Sequence, residues 1–549
     1  MLSFPKVEQP NMKVKLFPHQ LSAIYLMEQR EKNRTIKVSD LDDYEEIVTT
    51  KMSIFSDIVG YGKTFSVIGL IVRDKMEWDI NTQYKLCVTS TNDIGNRGII
   101  NEKRVHIKTF TKINTTLIVV NNSLINQWLG ELSKSDLKIK VIKKTIEALK
   151  DDITQFDVVL VSSKMYNALA KEWGNVAWKR FIFDEPQSTR IPSMKTICAG
   201  YYWLISATPL SLYNRYNSTS NHFIYSIFNS RLVYDSFNAM IVKNDDNYVK
   251  QSYKLPEVKD IFHECYQPIY NMVNGYVDNI TLSLISAGDI SGAIERLGGD
   301  ETSNIVELIK KKKGDRIDLL KLLIRQSPEN RNISKWNEEI IKLEKDILEL
   351  KDKFEEKLKS DCTICLDTLE KPILVPCCQN IFCGTCFLKW RQEHGTCPLC
   401  RERVIDKQLI HINSDNTKKE EKKCIVRKPT KPEMILNIVK NNKEGKFIIF
   451  SQFDVSFEKV TKLLRDTNIT FAELKGHSTT ISKTIKNFKE GKIQMLYLNS
   501  NYNGAGINLQ EATDIIFYHT YTNDNITKQI IGRANRIGRK GDLYVHHLI

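Results

Sequence analysis

A glycine-rich segment in the first part of the chain carries residue types suited to binding a polyphosphate. Residues 54–64 read as a buried strand, a loop and the start of a helix, and they end in Gly-Tyr-Gly-Lys-Thr. The free N–H groups and the positive dipole end of a helix start attract phosphate. Gly60 and Gly62 let the backbone close on the phosphates, and Lys63 is expected to reach the β and γ oxygens. The Thr64 hydroxyl is expected to ligate Mg2+.

An acidic pair further along the chain supports the same chemistry. The strict form of the loop has glycine where this chain has Asp57, so the loop pattern is incomplete, although Asp57 belongs to the predicted nucleotide-binding set. Asp184 and Glu185 end an apolar strand. Asp184 can hold the metal ion, and Glu185 can polarise the water that attacks the phosphate. Loop and pair together predict hydrolysis of a nucleoside triphosphate.

Two arginines in the last part of the chain complete the predicted site. Residues 529–538 contain Arg533 and Arg536, which lie three residues apart and therefore on one face of a predicted helix. We interpret this segment and the glycine loop as the two halves of one nucleotide site. The alternative is that both arginines are solvated on the surface of a helix.

A cysteine-rich window separates the two halves. Eight of the twelve cysteines fall between Cys362 and Cys400, mostly in Cys-x-x-Cys pairs. In a reducing compartment such pairs indicate zinc binding rather than disulfides. The other cysteines are interpreted as ordinary free thiols: Cys87, Cys198, Cys265 and Cys424.

The charge of the chain favours a polyanionic partner. Lys and Arg outnumber Asp and Glu by 80 to 66, a formal net charge of +14. This balance is typical of proteins that bind DNA or RNA, and a merely basic, soluble protein is the alternative. Residues 1–20 lack a signal-peptide pattern, and no uncharged apolar run approaches the roughly 18 residues of a membrane span. We therefore expect a soluble, intracellular protein with no membrane partner.

Buried strands are predicted to position the candidate site. Apolar, β-rich runs lie at 116–120, 157–162, 180–185, 202–208, 446–453, 494–499 and 513–519. Runs that are apolar on both faces belong to parallel sheets covered by helices, and ligands of such sheets bind at the carboxyl ends of the strands. The predicted fold class is α/β. The predicted domains are a first lobe (1–265), a helical insert with a stalk helix (266–360), a zinc-binding domain (361–405), a charged linker (406–430) and a second lobe (431–549).

With these motifs the chain resembles the Swi/Snf-like ATPases of helicase superfamily two. Phe17-Pro-His-Gln20 resembles the family's adenine-reading element, in which Gln20 contacts the base. Residues 117–128, which end in Asn-Gln-Trp, resemble the motif that touches one nucleic-acid strand; plain helix packing is the alternative for the last two. Ser206-Ala-Thr-Pro209 resembles the motif that couples hydrolysis to lobe movement.

The second half of the chain extends the resemblance. The loop that begins Gly504-Ala-Gly506 resembles the family's loop that senses nucleotide and grips the nucleic-acid backbone. In the family, residues matching Arg533 and Arg536 cross the cleft to the γ-phosphate, and such arginines accelerate phosphoryl transfer by about a thousandfold or more. The resemblance implies two RecA-like lobes, ATP and Mg2+ as cofactors, and a motor that moves along duplex DNA by one strand, usually without parting the strands.

The acidic motif departs from the family pattern. It reads Asp-Glu-Pro-Gln, where relatives have alanine and histidine at the last two positions. The contacts of the fourth residue to the γ-phosphate and to Ser206-Ala-Thr208 therefore fall to Gln187. Pro186 also biases Glu185 away from helical geometry. We still expect hydrolysis, and the departure bears on its coupling to nucleic acid.

The segment 266–360 reads as helical and ends in a predicted stalk helix. Its apolar residues step by four and three, a heptad pattern flanked by Glu and Lys. They are Trp336, Ile340, Leu343, Ile347, Leu350 and Phe354. Self-pairing as a coiled coil is one alternative, and packing against the neighbouring inserted helices is the favoured interpretation. This helix is expected to carry the cysteine-rich domain.

The cysteine spacing resembles a RING finger, in which interleaved ligand pairs bind two tetrahedral zinc ions instead of building a large core. The resemblance implies one zinc on Cys362, Cys365, Cys383 and Cys386, and another on Cys378, Cys397, Cys400 and Asn380, which stands where the family has His. Asn is a poor zinc ligand. The fourth donor of the second ion is therefore left open between Asn380, Cys377 and His394.

RING fingers recruit a loaded ubiquitin-conjugating enzyme, and the resemblance implies a docking patch for it. Ile364, Trp390 and Pro398 match the apolar residues of that patch, and Arg401 matches the residue that bridges enzyme and ubiquitin. The alternative is that the apolar residues only pack a small core. A RING between two motor lobes is similar to the repair translocases that ubiquitinate a replication clamp.

We therefore predict a DNA-stimulated ATPase and translocase of the Swi/Snf type with a RING that acts as a ubiquitin ligase. One alternative is a DNA-binding scaffold with weak ATPase activity that presents the RING, and another is an RNA-directed helicase. Lys, Asn and Ile are abundant, as AT-rich coding favours. That composition suggests a large DNA virus, and hence the nucleus, the host cytoplasm or the virion as the location.

Overall fold

The protein, in a computed structural model, is described over residues 4–41, 44–94, 100–143, 151–213, 233–300, 303–327, 331–404, 409–412, 428–465, 467–476, 478–499, 508–519 and 524–549. Two large parallel sheets, a group of inserted helices and a small cysteine-rich domain make up these ranges. None of the helices in them combines the length and the apolar character needed to cross a membrane.

The first lobe is built on an eight-stranded sheet. Its strands, in chain order, are Met52–Phe55, Tyr84–Ile94, Ile100–Val120, Ile139–Ile142, Val158–Ser162, Val176–Asp184, Cys198–Ile205 and Ile241–Val242. Across the sheet the order is 241–242, 52–55, 198–205, 176–184, 100–120, 158–162 and 139–142, all parallel. Tyr84–Ile94 runs antiparallel to Ile100–Val120. The buried runs of the sequence form the centre of this sheet, as predicted.

Helices cover both faces of the sheet. They are Pro18–Lys32, Lys63–Arg73, Ile125–Leu132, Tyr166–Glu172, Leu210–Tyr213, Tyr234–Ala239 and Asp246–Ser252. The lobe also has a 3-10 turn at Ile153–Gln155 and a separate hairpin of Thr35–Leu41 and Tyr44–Thr49. Phe181 and Phe183 enter the apolar cluster on one face, and Ile182 enters the cluster on the other. This alternation is what a strand covered on both faces produces.

The ends of three neighbouring strands bring the candidate motifs together. Phe55 pairs with Ile205, and Ile205 pairs with Asp184. The glycine loop, the Ser-Ala-Thr segment and the acidic pair therefore begin at one edge of the sheet, where parallel sheets bind their ligands.

The second lobe is a six-stranded sheet in which all strands are parallel. Across the sheet the strands are Val258–His263, Leu543–Leu548, Asp514–Phe517, Phe447–Ser451, Met495–Asn499 and Phe471–Glu473. Its helices are Lys431–Asn441, Asp454–Leu464, Ser478–Lys489 and Asp524–Ala534. The three runs predicted for this lobe are the central strands.

The edge strand Val258–His263 corrects the predicted end of the first lobe at residue 265. It pairs in parallel with Leu543–Leu548 of the second lobe. Its side chains are partly buried or exposed and none is fully buried, because an edge strand is not covered on both sides. The sequence therefore lacks a continuous apolar run there. The chain enters the second lobe before the helical insert begins.

The insert consists of the helices Pro268–Val273, Asn279–Ala287, Ile290–Arg296, Ile305–Gln326 and Ile333–Leu358. The last is the stalk helix. Ile340 of the stalk helix is buried against Ile317 and Leu320 of the preceding helix, and Lys313 pairs with Asp346 at 2.6 Å. The apolar residues of the heptad pattern thus pack against a neighbouring inserted helix, which is the interpretation that the sequence analysis favours.

The cysteine-rich domain is held at the end of the stalk helix. Its elements are the strands Pro372–Val375, Asn380–Cys383 and Ile410–His411 and the helix Gly384–His394. Phe354 and Leu358 of the stalk helix pack against its core. Gln379 accepts from the Ile305 amide and donates to the Ser303 carbonyl, both at 3.1 Å. These contacts fix the domain to the insert.

Candidate active site and metal sites

A cavity of about 380 Å³ lies between the two lobes, which is within the size range of small-molecule sites. The first lobe borders it with Gln20, Gly60, Gly62, Lys63, Thr64, Glu131, Asp184 and Glu185, and the second with Asn508, Gln510, Gln529, Arg533 and Arg536. The two segments that the sequence analysis interpreted as halves of one site therefore face the same cavity.

The glycine loop is closed on both sides by other parts of the site. Gly60 and Gly62 have left-handed φ values of 88° and 75°, and the helix Lys63–Arg73 starts directly after them. A Cβ on Gly60 would lie 2.4 Å from the Asn535 carbonyl oxygen, and one on Gly62 would lie 2.5 Å from Gln20 Nε2. The left-handed conformation favours glycine at both positions, and at Gly60 the close main-chain atom leaves no room for a Cβ.

Lys63 borders the cavity from the start of this helix. Its Nζ donates to the main-chain carbonyls of Asp57 at 2.9 Å and Ile58 at 3.3 Å. Burial lowers the Lys63 pKa, and the nearby Glu185 charge opposes that shift. Phosphate oxygens in the cavity would compete with the two carbonyls for the ammonium group.

The Asp57 side chain does not border the cavity. Its carboxylate accepts hydrogen bonds from the main-chain and side-chain amides of Asn244, both at 2.8 Å, and Asn244 also donates to the His19 carbonyl at 3.0 Å. Burial raises the Asp57 pKa, and the Asn244 hydrogen bonds oppose the shift. The prediction that Asp57 contacts the nucleotide is therefore corrected: its side chain anchors the base of the loop to the neighbouring strand end.

Gln20 connects the first helix to the glycine loop. Its Oε1 accepts from the Phe17 amide at 2.9 Å, and its Nε2 donates to the carbonyls of Tyr61 at 3.2 Å and Gly62 at 3.3 Å. The residue also borders the cavity. Its contact with an adenine base stays a prediction.

The acidic pair lies at the wall of the cavity beside Lys63. Burial, followed by the charge of Glu185, raises the Asp184 pKa to about 7. Burial also raises the Glu185 pKa, and Lys63 opposes that shift. Glu185 has a left-handed φ of 47°, a conformation that costs energy and is concentrated at functional sites.

Trp128 holds the first carboxylate of this pair. Its Nε1 donates to Asp184 Oδ2 at 2.8 Å, and its ring is buried. The sequence analysis gave two interpretations of Gln127-Trp128, contact with a nucleic-acid strand or packing of the helix. Trp128 packs in the core and is hydrogen-bonded to the acidic motif. Gln127 donates to Glu131 at 2.9 Å.

Gln187 links the acidic motif to the second lobe through Thr208. Its Nε2 donates to the Glu185 carboxylate and, at 3.4 Å, to Thr208 Oγ1. Gln529 of the second lobe also donates to Thr208 Oγ1, at 3.3 Å. The predicted contact of Gln187 with the Ser-Ala-Thr segment is present, and its contact with a γ-phosphate stays a prediction.

Arg533 and Arg536 both border the cavity. The prediction that they lie on one face of a helix is wrong. The helix Asp524–Ala534 ends before Arg536. The Arg533 carbonyl accepts from the Leu509 amide at 3.1 Å, and the Ile537 amide donates outside the helix. Without these i to i−4 bonds the helix cannot continue, so Arg536 lies in the turn that follows.

The two arginines face the carboxylates of the first lobe. Burial lowers the pKa of Arg533 to about 10, and Glu185 opposes the shift. Burial also lowers the Arg536 pKa, with Glu131 the strongest opposing charge. The second lobe therefore presents two guanidinium groups, which stay charged in proteins, to this wall of the cavity.

Two predicted segments fall largely outside the described residues. Gly504 and Gly506 lie in the range 500–507, and only the neighbouring Asn508 and Gln510 are placed at the cavity. Within the predicted linker over 406–430, the structure describes residues 409–412 and 428–430.

The sequence analysis missed two residues of the site. Glu131 follows Trp128 by one helical turn, and this Trp-x-x-Glu spacing could have indicated a shared face. Asn244 follows the two-residue strand Ile241–Val242. Its role depends on a strand pairing that local sequence does not encode, so no pattern signals it.

The first predicted zinc set is assembled. The sulfurs of Cys362, Cys365, Cys383 and Cys386 all lie within 4.8 Å of one another. Four thiolates at this separation suit a tetrahedral zinc ion. This is the set that the RING resemblance implies.

The second set differs from the prediction in its fourth member. The sulfurs of Cys377, Cys378, Cys397 and Cys400 lie within 4.8 Å of one another. The Asn380 side-chain nitrogen donates to the Cys378 carbonyl at 3.3 Å, and its Oδ1 is buried without a hydrogen-bond partner in the described part of the chain. Gln379, which follows the two adjacent cysteines of this set, has a left-handed φ of 52°. The cluster therefore contains Cys377, one of the alternatives that the sequence left open for the fourth donor, and offers four thiolates without Asn380.

His394, the third alternative, is engaged elsewhere. Its ring stacks on Trp390 with centroids 4.1 Å apart, and its Nδ1 lies 3.1 Å from the Trp390 carbonyl. Trp390, Pro398 and Ile364 are partly buried, and Arg401 is exposed. Ile364 packs against the core of the domain, so it contributes to packing and still presents some surface.

Three family models match the chain in sequence order. An SNF2-related domain matches residues 19–238, a Ring finger domain matches 360–401, and a helicase conserved C-terminal domain matches 430–538. The SNF2-related match contains the glycine loop and the acidic pair. The helicase C-terminal match contains the two arginines. The Ring finger match contains both cysteine clusters.

Several known proteins are similar in sequence. Putative helicase R592 of Acanthamoeba polyphaga mimivirus is 26% identical, over 99% of this chain and 76% of that protein. DNA repair protein RAD5A of Arabidopsis thaliana is 28% identical over 35% of this chain, and E3 ubiquitin-protein ligase SHPRH of Homo sapiens is 24% identical over 34%. The chain matches 19% of the length of RAD5A and 12% of that of SHPRH. It has the SNF2-related domain and the helicase C-terminal domain of an SNF2-family helicase-like ATPase, with a RING finger between them.

Proposed function

We propose that the chain hydrolyses ATP in the cleft between its lobes and uses that hydrolysis to move along duplex DNA. One observation carries the proposal: a single cavity is bordered by Lys63, Asp184 and Glu185 of the first lobe and by Arg533 and Arg536 of the second. Phosphoryl transfer depends on positioning and on neutralising charge. A cavity with cations on two sides and carboxylates on one wall meets both needs.

Each group has a role in this proposal. Lys63 leaves the loop carbonyls and binds the β- and γ-phosphate oxygens. Glu185 orients the attacking water and accepts its proton, and Gln187 holds the Glu185 carboxylate in place. Arg533 and Arg536 neutralise the charge that develops on the γ-phosphate.

The oxygen donors at this wall fit Mg2+. The Thr64 hydroxyl and the Asp184 carboxylate would hold it, because small hard cations take oxygen ligands. Burial and the charge of Glu185 both disfavour ionisation of Asp184, so a cation there would stabilise the charged carboxylate. The ion, when bound, supplies charge neutralisation on the phosphates.

Contacts between the lobes support a coupling between hydrolysis and lobe movement. The Ile537 amide donates to the Gly60 carbonyl at 3.1 Å, and Gln529 reaches Thr208. Both contacts join the phosphate-binding side of the first lobe to the arginine segment of the second. A change at the phosphate therefore alters groups that hold the lobes together.

The test of the motor function is ATP turnover with duplex DNA, with duplex RNA and without nucleic acid. We expect nucleic acid to raise turnover because the chain carries an excess of positive charge. We expect duplex DNA to raise it more than RNA because the motor sequence is SNF2-related. Stimulation by RNA alone would favour an RNA-directed helicase. Tight DNA binding with no turnover would favour the scaffold alternative.

Ubiquitin transfer is a second candidate function, favoured by the RING finger match and by the two clusters of four cysteines. We propose that Ile364, Trp390, Pro398 and Arg401 dock a loaded ubiquitin-conjugating enzyme. The test is discharge of ubiquitin from that enzyme. Arg401→Ala should abolish discharge while zinc is retained.

Arg403→Ala is the matched control for this test. Arg403 is exposed like Arg401, but it is not a member of the proposed docking patch. Equal discharge by both variants would reject the docking role of Arg401. No discharge by the wild type with any conjugating enzyme of a broad panel would reject the ligase proposal.

A further inference from the structure

The helix Ile125–Leu132 presents two polar side chains to the predicted magnesium ligands. Trp128 and Glu131 are three residues apart and so lie on one side of the helix. Trp128 donates to Asp184 at 2.8 Å. Glu131 and Thr64 both border the cavity. Burial raises the pKa of the Glu131 carboxyl, and the neighbouring Gln127 and Thr64 side chains oppose that shift. One short helix thus contacts both residues that are proposed to hold the ion.

Glu131 has an oxygen without a partner in the described part of the chain. Its Oε1 accepts from Gln127 Nε2 at 2.9 Å, whereas Oε2 is buried and makes no hydrogen bond. Leaving a charged acceptor buried and unpaired is costly. The residue borders the cavity, so a cation or a hydrogen-bond donor that enters the cavity would remove that cost.

We infer that Glu131 is a positioning residue of the magnesium site, which adds a third negative charge beside Asp184 and holds the Thr64 hydroxyl. Its unpaired oxygen would accept hydrogen bonds from the water molecules that Mg2+ retains in proteins. Trp128 holds Asp184 in the same way from the preceding turn. The inference rests on the proposed binding of ATP with Mg2+ in this cleft.

The alternative role for Glu131 is to hold Arg536, whose charge it attracts. The two roles differ in what they predict. A partner of Arg536 would affect the turnover step and leave the binding of Mg2+ unchanged. A residue of the magnesium site would change the Mg2+ concentration that nucleotide binding requires.

The experiment measures binding of a fluorescent ATP analogue to the full chain during a titration with Mg2+ and, separately, in EDTA. Glu131→Gln keeps the size of the side chain and can still bond Gln127, but it removes the charge. We expect the half-saturating Mg2+ concentration to rise about tenfold or more. Affinity in EDTA should stay within about twofold, since residues around a metal ligand act through the ion.

Glu172→Gln is the matched control. It makes the same chemical change on an exposed helical position of the same lobe, and its Mg2+ titration should match that of the wild type. Glu131→Asp retains the negative charge but moves it away from the cavity, because the side chain is one methylene shorter. It should raise the half-saturating Mg2+ concentration by a smaller factor than Glu131→Gln. This second variant decides the question if Glu131→Gln does not fold.

Two results would overturn the inference. One is an unchanged Mg2+ titration in a folded Glu131→Gln or Glu131→Asp variant. The other is an equal loss of nucleotide affinity with and without Mg2+. A wild-type protein that binds no ATP at any Mg2+ concentration would instead reject the proposed function, so the two failures are distinguishable.

Discussion

The main-chain amide of Ile537 donates a hydrogen bond to the main-chain carbonyl of Gly60, 3.1 Å away. This bond joins the turn that carries Arg536 to the phosphate-binding loop. It also uses the amide that would otherwise extend the helix Asp524–Ala534. The position of the arginine turn is therefore set by the first lobe as well as by its own lobe, and the loop and the turn form one unit.

The first prediction concerns Gly60→Ala. The added Cβ would lie 2.4 Å from the Asn535 carbonyl oxygen, so the arginine turn must move away from the loop. Because small displacements in an active site cost up to about a hundredfold in rate, ATP turnover should fall by about ten- to a hundredfold. The measurement is steady-state turnover together with nucleotide affinity, which should fall much less.

Gly275→Ala is the control for this change. Gly275 has φ of 89°, nearly that of Gly60, but a Cβ there meets no atom within 4 Å. Both substitutions therefore carry the same backbone strain, and only one carries the steric conflict between lobes. Equal losses of turnover in the two variants would attribute the effect to strain alone.

The second prediction concerns the charged groups of the first lobe. Lys63→Ala removes the ammonium that neutralises phosphate, and Glu185→Gln removes the acceptor for the proton of water. Each should lower turnover by about a hundredfold or more, and Glu185→Gln should still bind ATP. Lys171→Ala, an exposed position of the same lobe, should leave turnover unchanged. Undiminished turnover in either site variant would contradict the site assignment.

The third prediction is that DNA binding depends steeply on salt and little on base sequence. Groups that neutralise phosphates release counterions, so an interface with several phosphate contacts should lose about a thousandfold in affinity between about 50 and 200 mM salt. The measurement is a series of binding isotherms on two duplexes of unrelated sequence. An affinity that is insensitive to salt would reject the nucleic-acid proposal.

The sequence predicted the parts of the structure that are encoded locally. Buried runs identified the central strands of both sheets, and the glycine loop and acidic pair were found because their chemistry depends on neighbours in sequence. Asn244 and the edge strand Val258–His263 were missed, because their roles depend on pairing with distant strands. The helix end before Arg536 was missed for the same reason, since the competing acceptor is Gly60.

The fourth donor of the second cysteine cluster could not be predicted from the sequence, for a different reason. The spacing of the cysteines left three candidates for the fourth donor of the second cluster: Asn380, Cys377 and His394. Spacing alone cannot choose among them. In the structure all four sulfurs of the cluster, that of Cys377 included, lie within 4.8 Å of one another. The neighbouring Gln379 side chain is held by the insert through Ser303 and Ile305, contacts between residues distant in sequence that local patterns do not encode.

The last prediction tests that ligand set. The chain should contain two zinc ions, each on four thiolates, and a chelator should release both. Cys377→Ser replaces a thiolate by a hydroxyl, a much poorer zinc ligand, so one of the two ions should be released at lower chelator concentration while the other is retained. Asn380→His should change retention little, because the cluster already has four sulfurs. Cys87→Ser, at an exposed thiol outside the clusters, should behave as the wild type. Tighter retention in Asn380→His, or full retention in Cys377→Ser, would restore Asn380 as the ligand, and a stoichiometry of one zinc would reject the two-site domain.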